Sequence, residues 1–311
     1  MHSSRQALNH VLYRISQSSA AQFSVFAAVA LVFLCSSILS NANFSPTDLK
    51  ATVLGVAGAI VANATGAGGG VVFMPVFHQW ALGSNESLAT SLAIQCFGMT
   101  AGSLAWIVYS RGPLPEQEKR AWSGLSELVL LTASASVLGI AAAQYGLVPY
   151  IGSIELAFAY FSIAFGLLIL LLQRMGRKQS DQPCCELSVA GKALLVLVSY
   201  IGGIITAWIS VGVGEVVVLY LIAQKFPLKP AVAVAVCCSS LSVIFAVIFH
   251  LHFTDNIVFE IVGLAAPGAI IGGCIARFLA NRVGSERLKT CLALWIILSG
   301  LGSLKLAFAG S

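Results

Sequence analysis

Charge is scarce in this chain: Asp, Glu, Lys and Arg together supply 9% of its 311 residues. Soluble domains carry roughly 25%, so a water-facing globule is excluded. A Walker-type loop ending in G-K-[ST] is missing, which excludes ATP as a direct energy source. Cysteine occurs eight times, but in no C-x-x-C and in no His/Cys spacing of a zinc site. Cys35, Cys96, Cys237, Cys238, Cys274 and Cys291 sit in apolar runs, where a thiol behaves as a small hydrophobe; Cys184-Cys185 is the pair in a polar loop. Neither a disulfide framework nor a bound metal nor any other cofactor is expected. A nucleophile with a base tied to it by a motif is also missing, since His250 and His252 end an apolar run without one. The chain therefore does not read as an enzyme. Its 17 basic residues outnumber 12 acidic ones, yet they are dispersed, unlike the one-sided patch that binds nucleic acid.

What is abundant is apolar sequence, 58% of the chain, with a mean hydropathy of +0.91. Runs near 21–40, 87–109, 124–145, 151–172, 231–252, 257–277 and 288–308 approach the roughly 20 residues that cross a bilayer. Two further pairs, 49–65 with 67–82 and 190–209 with 213–224, surround glycine-rich interruptions. Several of their members are short for a span, so each pair is either two half-helices folding back or two tilted spans. Either way the chain returns to the side it left. The run from Phe23 to Leu39 is longer than the roughly 7–15 residues of a signal-peptide core and reads as a retained span.

The basic residues orient these spans. With the N-terminus inside, Arg5, Arg14, Arg111, Lys119, Arg120, Arg174, Arg177, Lys178, Lys192, Lys225, Lys229, Arg277, Arg282, Arg287 and Lys289 fall on the cytoplasmic side. That is 15 of 17, with Lys50 and Lys305 outside. The asymmetry predicts a cytoplasmic N-terminus and a periplasmic C-terminus. The expected organisation is a tail and first span at 1–48, a first transporter repeat at 49–172, a cytoplasmic linker at 173–189 and a second repeat at 190–311. Each repeat holds one broken pair and three spans, and this odd number of crossings inverts the second copy. Weak echoes agree: Glu86-Ser87-Leu88-Ala89-Thr90-Ser91 resembles Pro230-Ala231-Val232-Ala233-Val234-Ala235. Glu127 and Glu260 each stand 12 residues before a glycine, Gly139 and Gly272. The expected fold class is an all-α polytopic membrane protein built as an inverted repeat, with an extra N-terminal span.

The two interruptions carry the chemistry. One reads Asn63-Ala64-Thr65-Gly66-Ala67-Gly68-Gly69-Gly70, the other Ile209-Ser210-Val211-Gly212-Val213-Gly214-Glu215. Gly66 and Gly212 are 146 residues apart, as are Gly68 and Gly214. Broken backbone survives in lipid only where protein buries it or a wet cavity meets it, and a matched pair in two halves points to a transporter's binding site. A helix restarting after such a break aims about half an elementary positive charge and its free N–H groups at an anion. The candidate substrate-binding residues are Asn63, Thr65, Gly66, Gly68, Gly69, Gly70, Thr90, Ser91 and Gln95 in the first half, and Ser210, Gly212, Gly214, Ser239 and Ser240 in the second. Gly55, Gly58, Gly98, Gly102, Gly139, Gly268, Gly272 and Gly273 read instead as helix-packing residues. Glu215 is an acid far from any polar loop, and such residues are costly and functional as a rule. Two functional roles compete for it, a titrating group that couples protons or a carboxylate occupying a helix N-terminus in place of a free anion; the structural alternative is an ion-paired or hydrogen-bonded acid. Glu127, Glu155 and Glu260 lie near helix starts and read as interfacial.

The pattern Gly58-x7-Gly66-x-Gly68-Gly69-Gly70-x4-Pro75, followed by Ala89-Thr90-Ser91, resembles the sulfite exporter family of the TauE/SafE type over about 50–310. In the second half Gly212 and Gly214 persist, while Glu215 stands at the third position and Leu221 in place of the proline. The resemblance implies two related halves and transport, chiefly export, of sulfite, sulfoacetate or other organosulfonates across the bacterial inner membrane, with proton coupling often supposed. The expectation is thus a multi-pass secondary transporter whose partners are a small anion and membrane lipid; a homo-oligomer is compatible with the sequence. The alternative is an anion channel or uniporter for another small anion.

Overall fold

The computed structural model describes residues 46–112, 119–120, 122–148, 152–176, 186–283 and 285–309. The expected span at 21–40 with its tail, and most of the linker at 173–189, lie outside the described residues. Among the described residues regular structure is helical throughout. In chain order the helices are α1 Pro46–Thr65, α2 Gly70–Gln79, α3 Ser84–Ser110, α4 Leu125–Gln144, α5 Ile154–Gly176, α6 Val189–Ile209, α7 Val213–Ala223, α8 Leu228–Phe253, α9 Phe259–Val283 and α10 Ser285–Ala309. Six of them, α3, α4, α5, α6, α8 and α9, are long and apolar enough to cross a membrane. The chain is a polytopic helical membrane protein.

The two short helices sit where the glycine interruptions predict, after α1 and after α6. Helix lengths run 20, 10, 27, 20 and 23 residues through α5, then 21, 11, 26, 25 and 25. Packing repeats with the same period. α1 lies along α9 as α6 lies along α4; α9 packs on α3 as α4 packs on α8; and α3 with α8, and α5 with α10, pair with their own counterparts. The order of helix packing in α1–α5 thus recurs in α6–α10.

Small residues make the long seams close. A Cβ on Gly55 would meet the Ala265 carbonyl oxygen at 2.1 Å, and one on Gly268 the Thr52 carbonyl at 2.1 Å, so α1 and α9 touch backbone to backbone. Gly139 against Tyr200 and Gly203 against Ser136 do the same for α4 and α6, at 2.0 and 2.1 Å. In lipid, where apolar surface gives helices no reason to prefer each other over acyl chains, such approaches supply the dispersion contact that holds a bundle. α2 shows how an awkward residue is accommodated. Pro75 lies inside it and has no N–H for the Val71 carbonyl, and Trp295 of α10 donates its indole N–H to that oxygen at 3.3 Å.

The helix ends sort charge. Gln144, closing α4, donates to the Ala246 carbonyl near the end of α8 at 3.0 Å, so these helices run parallel. Their starts share one end of the molecule, where Lys192 pairs with Glu127. At the start of α8, Lys229 reaches the Tyr109 hydroxyl at 3.3 Å, and Arg277 stacks on the Tyr109 ring at 5.1 Å from its centroid. Trp106 and Trp122 complete an aromatic cluster there.

Candidate anion site where the two chain breaks meet

Each break forms for local reasons. α1 ends at Gly66, whose φ of +84° is a left-handed conformation that glycine takes without steric cost. The Thr65 hydroxyl donates to the Val61 carbonyl at 2.7 Å and accepts the Ala67 N–H at 3.2 Å, closing the helix end. α6 ends on Ser210, also left-handed at φ +61°, and the chain turns again at Gly212. The first N–H of α7, on Val213, is taken by the Thr206 hydroxyl at 2.8 Å.

These caps correct the register suggested by glycine spacing. The residues that end α1 and α6 are Gly66 and Ser210, and those that precede α2 and α7 are Gly69 and Gly212. Counted from these caps, Glu215 is the third residue of α7, the place that Val72 holds in α2. A glutamate at that position reaches back to the N–H preceding its own helix, and the Glu215 Oε2 accepts the Gly212 N–H at 2.9 Å.

The other oxygen crosses between the halves. Glu215 Oε1 accepts the Gly68 N–H at 2.7 Å. The next N–H, on Gly69, is taken by Gln95 Oε1 at 2.8 Å. The Gln95 amide nitrogen in turn donates to Ser210 Oγ at 2.9 Å and Ser91 Oγ at 3.2 Å, and Ser210 Oγ donates to Ser91 Oγ at 2.8 Å. The tips also touch through backbone: a Cβ on Gly70 would lie 2.2 Å from the Ser210 carbonyl, and one on Gly214 would lie 2.4 Å from the Gly66 carbonyl. Gln95 is the twelfth of 27 residues in α3 and Ser239 the twelfth of 26 in α8. The two tips therefore meet midway along the long helices.

Of the expected site residues, Gly66, Gly68, Gly69, Gly70, Ser91, Gln95, Ser210, Gly212, Gly214 and Glu215 converge here, with Thr65 shaping one tip. Glu215 is fully buried, and no charged side chain pairs with it among the described residues. Ser239 packs against the tip of the second break: its buried Oγ has no hydrogen-bond partner and would lie 2.6 Å from a Cβ on Gly214. Three residues turn elsewhere. Asn63 donates to the Ala59 and Gly98 carbonyls at 2.8 and 3.1 Å and packs on Gly102. Thr90 accepts the Val258 N–H, at the entry to α9. Ser240 pairs with Thr100 at 3.1 Å where α8 crosses α3. Thr206 was not among the expected residues, although a threonine three positions before a break's last helical residue is a readable signal for such a cap.

Polar neutral groups thus surround one carboxylate, and the described residues hold no cluster of His, Cys, Asp or Glu suited to a metal ion. The arrangement can hold an anion through N–H, amide and hydroxyl donors without a fixed cation. Comparison with curated proteins and with solved structures found no match. The family model of the sulfite exporter TauE/SafE matches residues 51–303, which span both breaks and all ten helices in whole or in part, and the chain belongs to that family.

Proposed function

We propose that this protein is a secondary transporter moving small sulfur-containing anions, such as sulfite, sulfoacetate or another organosulfonate, across the bacterial inner membrane, and that the anion binds where the two breaks meet. Export is the direction that family membership favours. Residues 49–172 and 190–311 would act as two inverted repeats joined by the linker at 173–189, with the N-terminus cytoplasmic. The observation that carries the reading is the Gly68 N–H seated on a carboxylate oxygen at 2.7 Å amid uncharged donors. Two carboxylate oxygens resemble two of the three oxygens of a sulfite or sulfonate group, so a site that holds one is chemically fitted to the other. Glu215 is the proposed coupling group.

The test is flux of radiolabelled sulfite and methanesulfonate into proteoliposomes, with and without an imposed pH gradient. Saturable flux accelerated by the gradient is expected. Flux indifferent to the gradient would make the protein a uniporter or channel. No flux of either anion through folded protein would remove the substrate class.

A further inference from the structure

We propose that Glu215 is a tethered competitor for the transported anion: a small oxyanion binds the Gly68 N–H by displacing the Glu215 carboxylate, which takes up one proton from water as the anion enters. The inference rests on the function proposed above and adds the binding step and the sign of its coupling. In balance, a free monoanion and a proton are consumed. The hydrogen bond from Gly68 to Glu215 breaks, one from Gly68 to the anion forms, and Glu215 becomes a neutral acid.

Four observations converge. Glu215 needs only Oε2 to cap its own helix, so Oε1 can leave Gly68 without unseating the residue. The neighbours of a Cβ built on Gly68 are Gln95 Oε1 at 3.3 Å and Glu215 Oε1 and Oε2 at 3.4 and 3.7 Å, ends of side chains rather than backbone. A donor is near for an anion's further oxygen: Ser239 is 2% exposed, its hydroxyl is unpartnered, and it lies against Gly214, whose other close neighbour is the Gly66 carbonyl. Lastly, among the described residues nothing cationic is at hand to let two anions share the place. On the elements packed around the carboxylate, the titratable groups are engaged or distant. Lys192 of α6 pairs with Glu127, Tyr220 of α7 donates to the Gly191 carbonyl, and His78 closes α2 at its far end. On α3, Glu86 caps its own helix at Gly83, Cys96 follows Gln95 in sequence, and Tyr109 near the far end meets Lys229 of α8. On α8, Cys238 faces Ser136, Cys237 precedes it, and His250 and His252 close the helix. Two like charges within a few ångströms in low dielectric cannot both persist, so the displaced acid protonates.

Proton and anion therefore bind together and travel in the same direction, so an inward proton gradient opposes export, which the outward gradient of the anion itself must drive. Isothermal titration calorimetry of the full chain with methanesulfonate, run in buffers of different ionisation enthalpy, counts the protons. Methanesulfonate is permanently ionised, so every proton counted is the protein's. The expected result is about one proton taken up per anion, with affinity rising about tenfold for each unit of falling pH. Glu215→Gln should bind about tenfold tighter at neutral pH, without uptake or pH dependence, because its competitor is neutral. Ser239→Ala should weaken binding about tenfold while uptake stays. If Glu215→Gln does not fold, the wild-type proton count and pH slope decide alone. Wild-type binding with no proton uptake and a flat pH profile, in protein that still transports, overturns the displacement and leaves the transporter standing. Absence of both binding and flux for methanesulfonate and sulfite overturns both readings.

Discussion

Gln95 joins three segments through one side chain, accepting the Gly69 N–H and donating to Ser210 and Ser91. Replacing it with leucine keeps the bulk but leaves the Gly69 N–H buried without a partner, at about 1–3 kcal/mol. Interhelical hydrogen bonds in membranes average only about 0.6 kcal/mol, so the orphaned backbone group decides the outcome. Gln95→Leu should lower the unfolding midpoint in detergent and abolish saturable flux. Asn63→Ala should also lower stability, by loosening α1 from α3, yet leave the KM for the anion unchanged. Flux kinetics against substrate concentration separate the two. Gln95, Ser91 and Ser210 were legible as polar residues in apolar runs. Asn63 and Thr90 carry the same signature and face elsewhere, because a helix apolar on most sides gives no hydrophobic stripe from which to read direction.

At the scale of elements, the breaks were legible as glycine clusters between apolar runs, several of them short for a span, and α2 and α7 lie where those clusters end. Their internal register was not. Matching glycine to glycine pairs Gly68 with Gly214, whereas the caps pair Gly69 with Gly212, because the second break reaches its left-handed residue with Ser210 instead of glycine. Which residues the tips bury against each other was also hidden, since it depends on packing across 140 residues or more, as between Gly70 and Ser210. Gly70→Ala and Gly214→Ala each drive a methyl group into a carbonyl oxygen of the opposite tip, at 2.2 and 2.4 Å. The tips must then part, and flux should fall at least about tenfold, the effect of some 1.4 kcal/mol. Gly302→Ala, which meets nothing within 4 Å, should transport like wild type.

For the whole molecule, the apolar runs made the number and order of the described helices legible, and the packing of α1 on α9 recurs as that of α6 on α4. Lys192, Lys229 and Arg277 group at one end, the end that the lysine and arginine count assigns to the cytoplasm. In a background without native cysteines, Lys305→Cys should react with an impermeant maleimide in intact cells, and Arg282→Cys only after permeabilisation. The central claim is that both tips together form the transport site. It is tested most directly by methanesulfonate and sulfite flux in proteoliposomes holding equal amounts of folded wild type, Gly70→Ala, Gly214→Ala and Gly302→Ala. Loss of flux in both tip variants with full flux in Gly302→Ala is the result this account predicts; undiminished flux in either tip variant would contradict it.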